Sequence, residues 1–105
     1  MSRSTRPTHP GEIIRDDVLP ALSLKESEAA EQMKVKVEDL NAVLSGRARV
    51  DAEWALRFGQ FCGNGPSLWM DMQAAIDLWL AEQRIGKELE AIASHAPKPE
   101  QPLSR

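Results

Sequence analysis

The stretch SLKESEAAEQMKVKVEDLNAVLSG, residues 23–46, decides the fold. Its opening Ser23-Leu24-Lys25-Glu26 has the capping-box pattern, in which a serine hydroxyl and a glutamate carboxylate satisfy each other's unpaired backbone donors at a helix start. A helix is expected from there to Met33, with Ala29, Ala30 and Met33 forming a small-residue inner face that lets another helix come close. Lys34-Val35-Lys36 reads as a short turn. A second helix is expected over 37–45, because Val37, Leu40, Val43 and Leu44 recur at helical spacing and Gly46 follows where a left-handed residue ends a helix.

Upstream of this stretch, His9-Pro10-Gly11-Glu12 reads as a helix start, with Glu12, Asp16 and Asp17 placed to complement the positive end of the helix dipole. Ile13, Ile14, Val18 and Leu22 give that helix an apolar side, and Pro20, which lacks an N–H, is expected to end or bend it, so it is placed at 12–20. On the C-terminal side Asp51 reads as the N-cap of a helix carrying Trp54, Ala55, Leu56, Phe58, Gly59, Phe61 and Cys62, which Gly63-Asn64-Gly65-Pro66 stops. From Ser67 onward Leu68, Trp69, Met72, Ala75, Ile76 and Trp79 mark a long amphipathic helix, expected to bend at Gly86 and to fade by Ser94. Residues 1–8 read as a flexible arm, 9–95 as one domain and 96–105 as a disordered proline-rich tail.

Composition agrees with an all-α chain. The 105 residues suffice for one domain, 42% of them are apolar and 28% charged, tyrosine is absent, and no β-branched run alternates as a strand would. A formal charge of −3 argues against indiscriminate coating of nucleic acid, which depends on Lys and Arg displacing counterions. Cys62 is the sole cysteine and sits amid apolar neighbours, which suits a buried small side chain in a reducing cytoplasm. His9 and His95 stand at opposite ends with no further ligand spaced to complete a metal site, so no metal or other cofactor is expected. No apolar run approaches a membrane span, and Met1–Pro7 lacks a signal core. Neither a nucleophile–base pair, nor paired carboxylates in a cleft, nor a phosphate loop is present, so no enzymatic activity and no small-molecule substrate are expected. Trp54, Trp69 and Trp79 read as core or interface aromatics and not as a ligand box.

Two short helices joined by a tight turn, with one helix before and two after, form the arrangement of the helix-turn-helix DNA readers, whose second helix enters the major groove. The candidate DNA-contacting residues are then Lys25, Lys34, Lys36, Glu38, Asp39, Asn41, Arg47 and Arg49, the cations for phosphates and the helix positions for bases.

Several runs of the chain resemble the HigA (VapI-like) antitoxins: His9-Pro10-Gly11-Glu12-Ile13-Ile14, Leu44-Ser45-Gly46-Arg47, Ala55-Leu56-Arg57, and Gly65 to Trp79 with its Trp69, Gln73 and Asp77-Leu78-Trp79. The resemblance covers residues 9 to 84 and implies a five-helix, Xre/lambda-repressor-like domain with an extended C-terminal helix. It further implies a homodimer, a HigB-like toxin that cleaves ribosome-bound mRNA, and repression of the chain's own operon at a palindromic operator. The dimer is expected through the fifth helix, at Trp69, Met72, Ile76 and Trp79. The chain departs from the family where bases are read, with Lys25-Glu26 and Val37-Glu38-Asp39 in place of Ser-Gln and of Arg, Gln, Ser or Thr. A carboxylate accepts from cytosine N4 but is repelled by the DNA backbone. Acidic residues in a first helical turn also have an ordinary role, complementing the dipole. An antitoxin that works by protein contact alone, or a solitary regulator without a toxin, therefore stays open beside the repressor reading.

Overall fold

Helix α1 spans residues 10–22 of the computed structural model, which describes residues 5–96. The expectation that Pro20 would end it fails, because the chain makes room for the proline. Pro10–Ile13 is α-helical, Ile14–Val18 opens into one π-helical turn, and Leu19–Leu22 returns to α-helix. The Leu19 N–H bonds the Ile14 carbonyl, five residues back. The wider turn accommodates a proline, whose ring would meet the carbonyl four residues before it in a regular helix. It also shifts the inward spacing from four residues to five. Ile14 and Leu19 are buried, while Val18 is half-buried and Leu22, expected on the same face, is exposed.

Helix α2 is Glu26–Met33. Its cap is a correction: Ser23 does not open α2 but closes α1 in the left-handed region (φ 56°), with Leu24 N–H bonded to the Leu19 carbonyl and Ser23 N–H to that of Pro20. The carboxylate of Glu28, not Glu26, reaches back to the Lys25 N–H at 2.8 Å. A second closure of the same kind, on Lys34 (φ 65°), ends α2 and forms the turn into α3, Val37–Leu44. Val37, at the first position of α3, is exposed and not on the inner side.

Helices α4, Ala52–Cys62, and α5, Ser67–Glu90, complete an all-helical architecture with no strand among the described residues. Asp51 caps α4 as expected, accepting from the Trp54 N–H at 2.9 Å. Gly59 lies where α4 meets the turn, and a Cβ there would stand 2.3 Å from the Gly65 carbonyl carbon. Helix α5 breaks at Ile85 (φ −121°, ψ 17°), one residue before the expected bend. The expected arm and tail fall mostly on residues 1–4 and 97–105, outside the described residues.

The core is built from Ile14, Leu19, Ala29, Ala30, Met33, Leu40, Val43, Leu44, Val50, Ala55, Phe58 and Trp69. Burying the larger of these contributes roughly 1.5–3 kcal/mol per side chain. Phe58 lies between Trp54 (centroids 5.6 Å) and Trp69 (5.5 Å, edge to face), and the Trp69 indole N–H donates to Asn64 Oδ1 at 3.1 Å. Cys62 packs at the edge of this core, where burial pushes its thiol up, away from the reactive thiolate.

The start of α1 is held against α3. A Cβ on Gly11 would stand 2.2 Å from the Val43 carbonyl oxygen, backbone that has no rotamer with which to yield. Gly11→Ala is expected to destabilise the fold by about 2–3 kcal/mol through this overpacking, read from the denaturant midpoint. The same change at Gly86, where nothing lies within 4 Å, removes only a flexible link and is expected to raise helicity without lowering that midpoint.

His9 caps α1 from a buried position, its Nδ1 accepting from the Gly11 N–H at 2.9 Å. Burial lowers its pKa below the ordinary histidine value, against a hydrogen bond to the backbone of Ala48 that works the other way. Protonating Nδ1 would set two donors face to face. The folded chain thus binds this proton less readily than the unfolded one, so the His9 contribution is complete above a pH of about 6.5 and is lost as pH falls below it. His9→Asn, which keeps an acceptor for the cap, is expected to flatten the melting temperature between about pH 7 and pH 5.

Candidate nucleic-acid interface

Helices α2 and α3 pack against each other around Ala29, Ala30, Met33, Leu40, Val43 and Leu44, which leaves their opposite sides and the turn between them in solvent. Two arginines from outside the pair lock it. Arg57 of α4 donates to the Met33 carbonyl at 2.6 Å, and Arg15 of α1 donates to the Leu44 carbonyl at 3.3 Å while also pairing with Asp16. Each cation thus satisfies a carbonyl at a helix C-terminus, where the dipole favours positive charge.

The residues expected to meet DNA lie at the head of α2, in the turn, on α3 and in the loop that follows. Lys25 at the head of α2, Lys34 and Lys36 in the turn, and Arg47 and Arg49 in the loop after α3 are all exposed. Glu38 and Asp39 occupy the first turn of α3, exposed and beside the N-terminal end of its dipole. Asn41 is half-buried and bonded on both sides: its Nδ2 donates to Glu26 Oε1 at 2.9 Å and its Oδ1 accepts from Arg47 at 3.1 Å. A chain Glu26–Asn41–Arg47 therefore runs from the start of α2 across the middle of α3 to the loop. It sets the side chain of Asn41 before any partner arrives, and it balances the Arg47 charge against Glu26. Sequence reading missed this link because it joins three elements, and the presence of a carboxylate at 26 was its only signal.

The loop after α3 is fastened by residues that the sequence shows only as family marks. Val50, fully buried, donates its N–H to Gln73 Oε1 at 2.6 Å. The amide of Gln73 donates in turn to Asp77 Oδ1 at 2.9 Å, and the other oxygen of Asp77 pairs with Arg49. Partial burial works to raise the Asp77 carboxyl, and the hydrogen bonds from Arg49 and Gln73 outweigh it and hold the group below the ordinary carboxylate value. Arg6, His9, Arg47, Arg49, Gln73 and Asp77 share a shallow cavity of about 640 Å³ beside this loop.

The expected dimer surface needs correction. Trp69 and Ile76 are each 1% exposed, packed into the chain's own core, and have no area left to offer a second copy. Met72 and Trp79 are half-buried. The exposed apolar side chains of α5 and its continuation are instead Leu68, Met70, Leu78, Leu80, Ile85, Leu89 and Ile92, with Leu78 and Ile92 the most exposed. No helix among the described residues is long and apolar enough to cross a membrane, and no cluster of three or more His, Cys, Asp or Glu there is placed to hold a metal.

No family model matches the chain. It is 33% identical over 86 residues to the HTH-type transcriptional regulator YbaQ of Escherichia coli K12, an alignment covering 81% of this chain and 76% of that protein. The fold superimposes on the Pseudomonas aeruginosa antitoxin HigA, solved with the higBA promoter, at a TM-score of 0.79 and 29% identity over 86% of this chain and 98% of that one. It superimposes equally well on antitoxin GraA in complex with its operator, at a TM-score of 0.80 and 30% identity over 93% and 99% of the two chains. By these likenesses the chain belongs to the HigA-type antitoxin family of Xre-like helix-turn-helix proteins.

Proposed function

We propose that this chain is the antitoxin of a type II toxin–antitoxin pair, a non-enzymatic cytoplasmic protein that captures a HigB-like mRNA-endonuclease toxin and represses its own operon as a homodimer. The DNA half is supported by the exposure of Lys34 and Lys36 in the turn between α2 and α3 and of Arg47 and Arg49 in the loop after α3. The solved relatives bound to a promoter or an operator are folded in the same way. Cations at the turn and the following loop suit two stretches of phosphate backbone, with the front of α3 between them in the groove. The acid excess of the whole chain suits a basic toxin, since opposite net charge speeds encounter.

Two-fold readers place their recognition helices about 34–36 Å apart, one per half-site. The exposed apolar residues of α5, Leu78 first among them, supply the material for the required self-association. Leu78→Glu is expected to convert a dimer to a monomer in size-exclusion chromatography with light scattering, and to weaken binding to a two-half-site operator far more than to a single half-site.

The acidic front of α3 favours a second reading, in which Glu38, Asp39 and Glu26 have displaced base reading and only protein contact remains. Retardation of a duplex taken from upstream of the chain's own gene separates the two. The repressor reading expects binding stronger than to scrambled DNA and declining with salt. In that series Lys36→Ala should weaken binding alike on both duplexes and flatten the log–log salt dependence by about 0.9, the share of one phosphate contact. Lack of retardation even at about 50 mM salt would leave the protein-only antitoxin. Co-purification with the product of the neighbouring reading frame tests the toxin half, since a solitary regulator elutes alone.

A further inference from the structure

Three consecutive residues of the loop after α3 are tied to residues outside it. Ala48 receives a hydrogen bond from His9 at the head of α1, Arg49 pairs through its side chain with Asp77 of α5, and the Val50 N–H is held by Gln73 of α5. Gln73 and Asp77 are themselves bonded, so Arg49, Asp77, Gln73 and Val50 form a ring of hydrogen bonds that closes through the 49–50 backbone. Gln73 is 3% exposed and its carbonyl oxygen and amide nitrogen are both engaged in this ring. By contrast the Arg49 side chain keeps 58% of its surface in solvent while paired. A guanidinium has five donors spread over two edges, so one terminal nitrogen can rest on a carboxylate while the rest of the fork faces outward.

We infer that Gln73 and Asp77 are positioning residues for DNA binding: through this ring α5 presents the Arg49 guanidinium, already oriented, to a phosphate of the operator backbone. The inference rests on the operator-binding reading above and deepens it. Holding a long side chain in its bound geometry removes part of the ordering cost of association, worth about three- to tenfold in affinity for one arginine. Charge alone dictates the opposite sign. A carboxylate close to the DNA backbone repels it, so if Asp77 acted only as a charge, its removal would tighten binding.

That difference in sign is the test. The full chain is titrated, over a series of salt concentrations, onto a duplex from upstream of its own gene, as wild type, Asp77→Ala, Asp77→Asn, Arg49→Ala and the Asp77→Ala/Arg49→Ala double variant. Melting temperatures are recorded alongside, so that a loss of fold is not mistaken for a loss of contact. Asp77→Ala is expected to weaken binding about three- to tenfold while leaving the salt slope near that of the wild type, because the cation remains and only its ordering cost rises. Arg49→Ala should weaken binding at least as much and lower the slope by about 0.9, the share of one phosphate contact. The double variant should be no weaker than Arg49→Ala alone, because Asp77 acts through Arg49. Asp77→Asn, which keeps an oxygen for Arg49, should recover part of the loss. Wild-type retardation with an Asp77→Ala that binds as tightly or more tightly overturns the inference alone, as does a double variant whose losses multiply. A wild type that retards neither this duplex nor a scrambled one removes the operator reading and the inference with it.

Discussion

The first turn of α1 and the last turn of α3 run so close together that a single methyl group on Gly11 would collide with the Val43 carbonyl. Neither side of that contact is a side chain, so neither can rotate away, and the pose of α3 against α1 is set by backbone alone. The flanking contacts inherit this pose. Arg15, one turn along α1, reaches the Leu44 carbonyl at the end of α3, and His9, just ahead of α1, reaches the loop beyond it. The head of α1 thus acts as a bracket around the C-terminus of α3. Its N-terminus is fixed separately by the left-handed turn at Lys34 and by Arg57 on the Met33 carbonyl.

Much of this fold is written locally. The Asp51 cap, the Gly63-Asn64-Gly65-Pro66 stop and the spacing of Leu40, Val43 and Leu44 each state a boundary or a face through residues near one another in sequence, and each is legible there. The failures share a cause as well. Pro20 reads as a terminator because a regular helix cannot hold it, and nothing local announces that the preceding turn will widen instead. Ser23 and Glu26 match a capping box by type and spacing, yet a left-handed closure of α1 claims Ser23, and Glu28 takes the place of Glu26. Where two motifs compete for one residue, packing elsewhere in the chain decides.

The candidate interface divides in the same way. That Lys25, Lys34, Lys36, Arg47 and Arg49 would be exposed beside α2 and α3 in sequence follows from a polar turn and a polar loop, which sequence displays. That Asn41 would be clasped between Glu26 and Arg47 does not, since the three residues meet only once α2 and α3 have docked. Trp69 and Ile76 show the reverse error. Their helical periodicity is real, but periodicity reports that a face is buried and is silent on whether the chain's own core or another copy covers it.

The π-helical turn carries one residue more than a regular helical turn, and that surplus moves Leu19 into the core where Val18 would otherwise point. Removing a single residue between 14 and 18 would restore regular helix and realign the two halves of the buried face, but it would also drive the Pro20 ring onto the carbonyl one turn back. The extra residue and the proline are accordingly coupled, since the wide turn is what gives the ring its room.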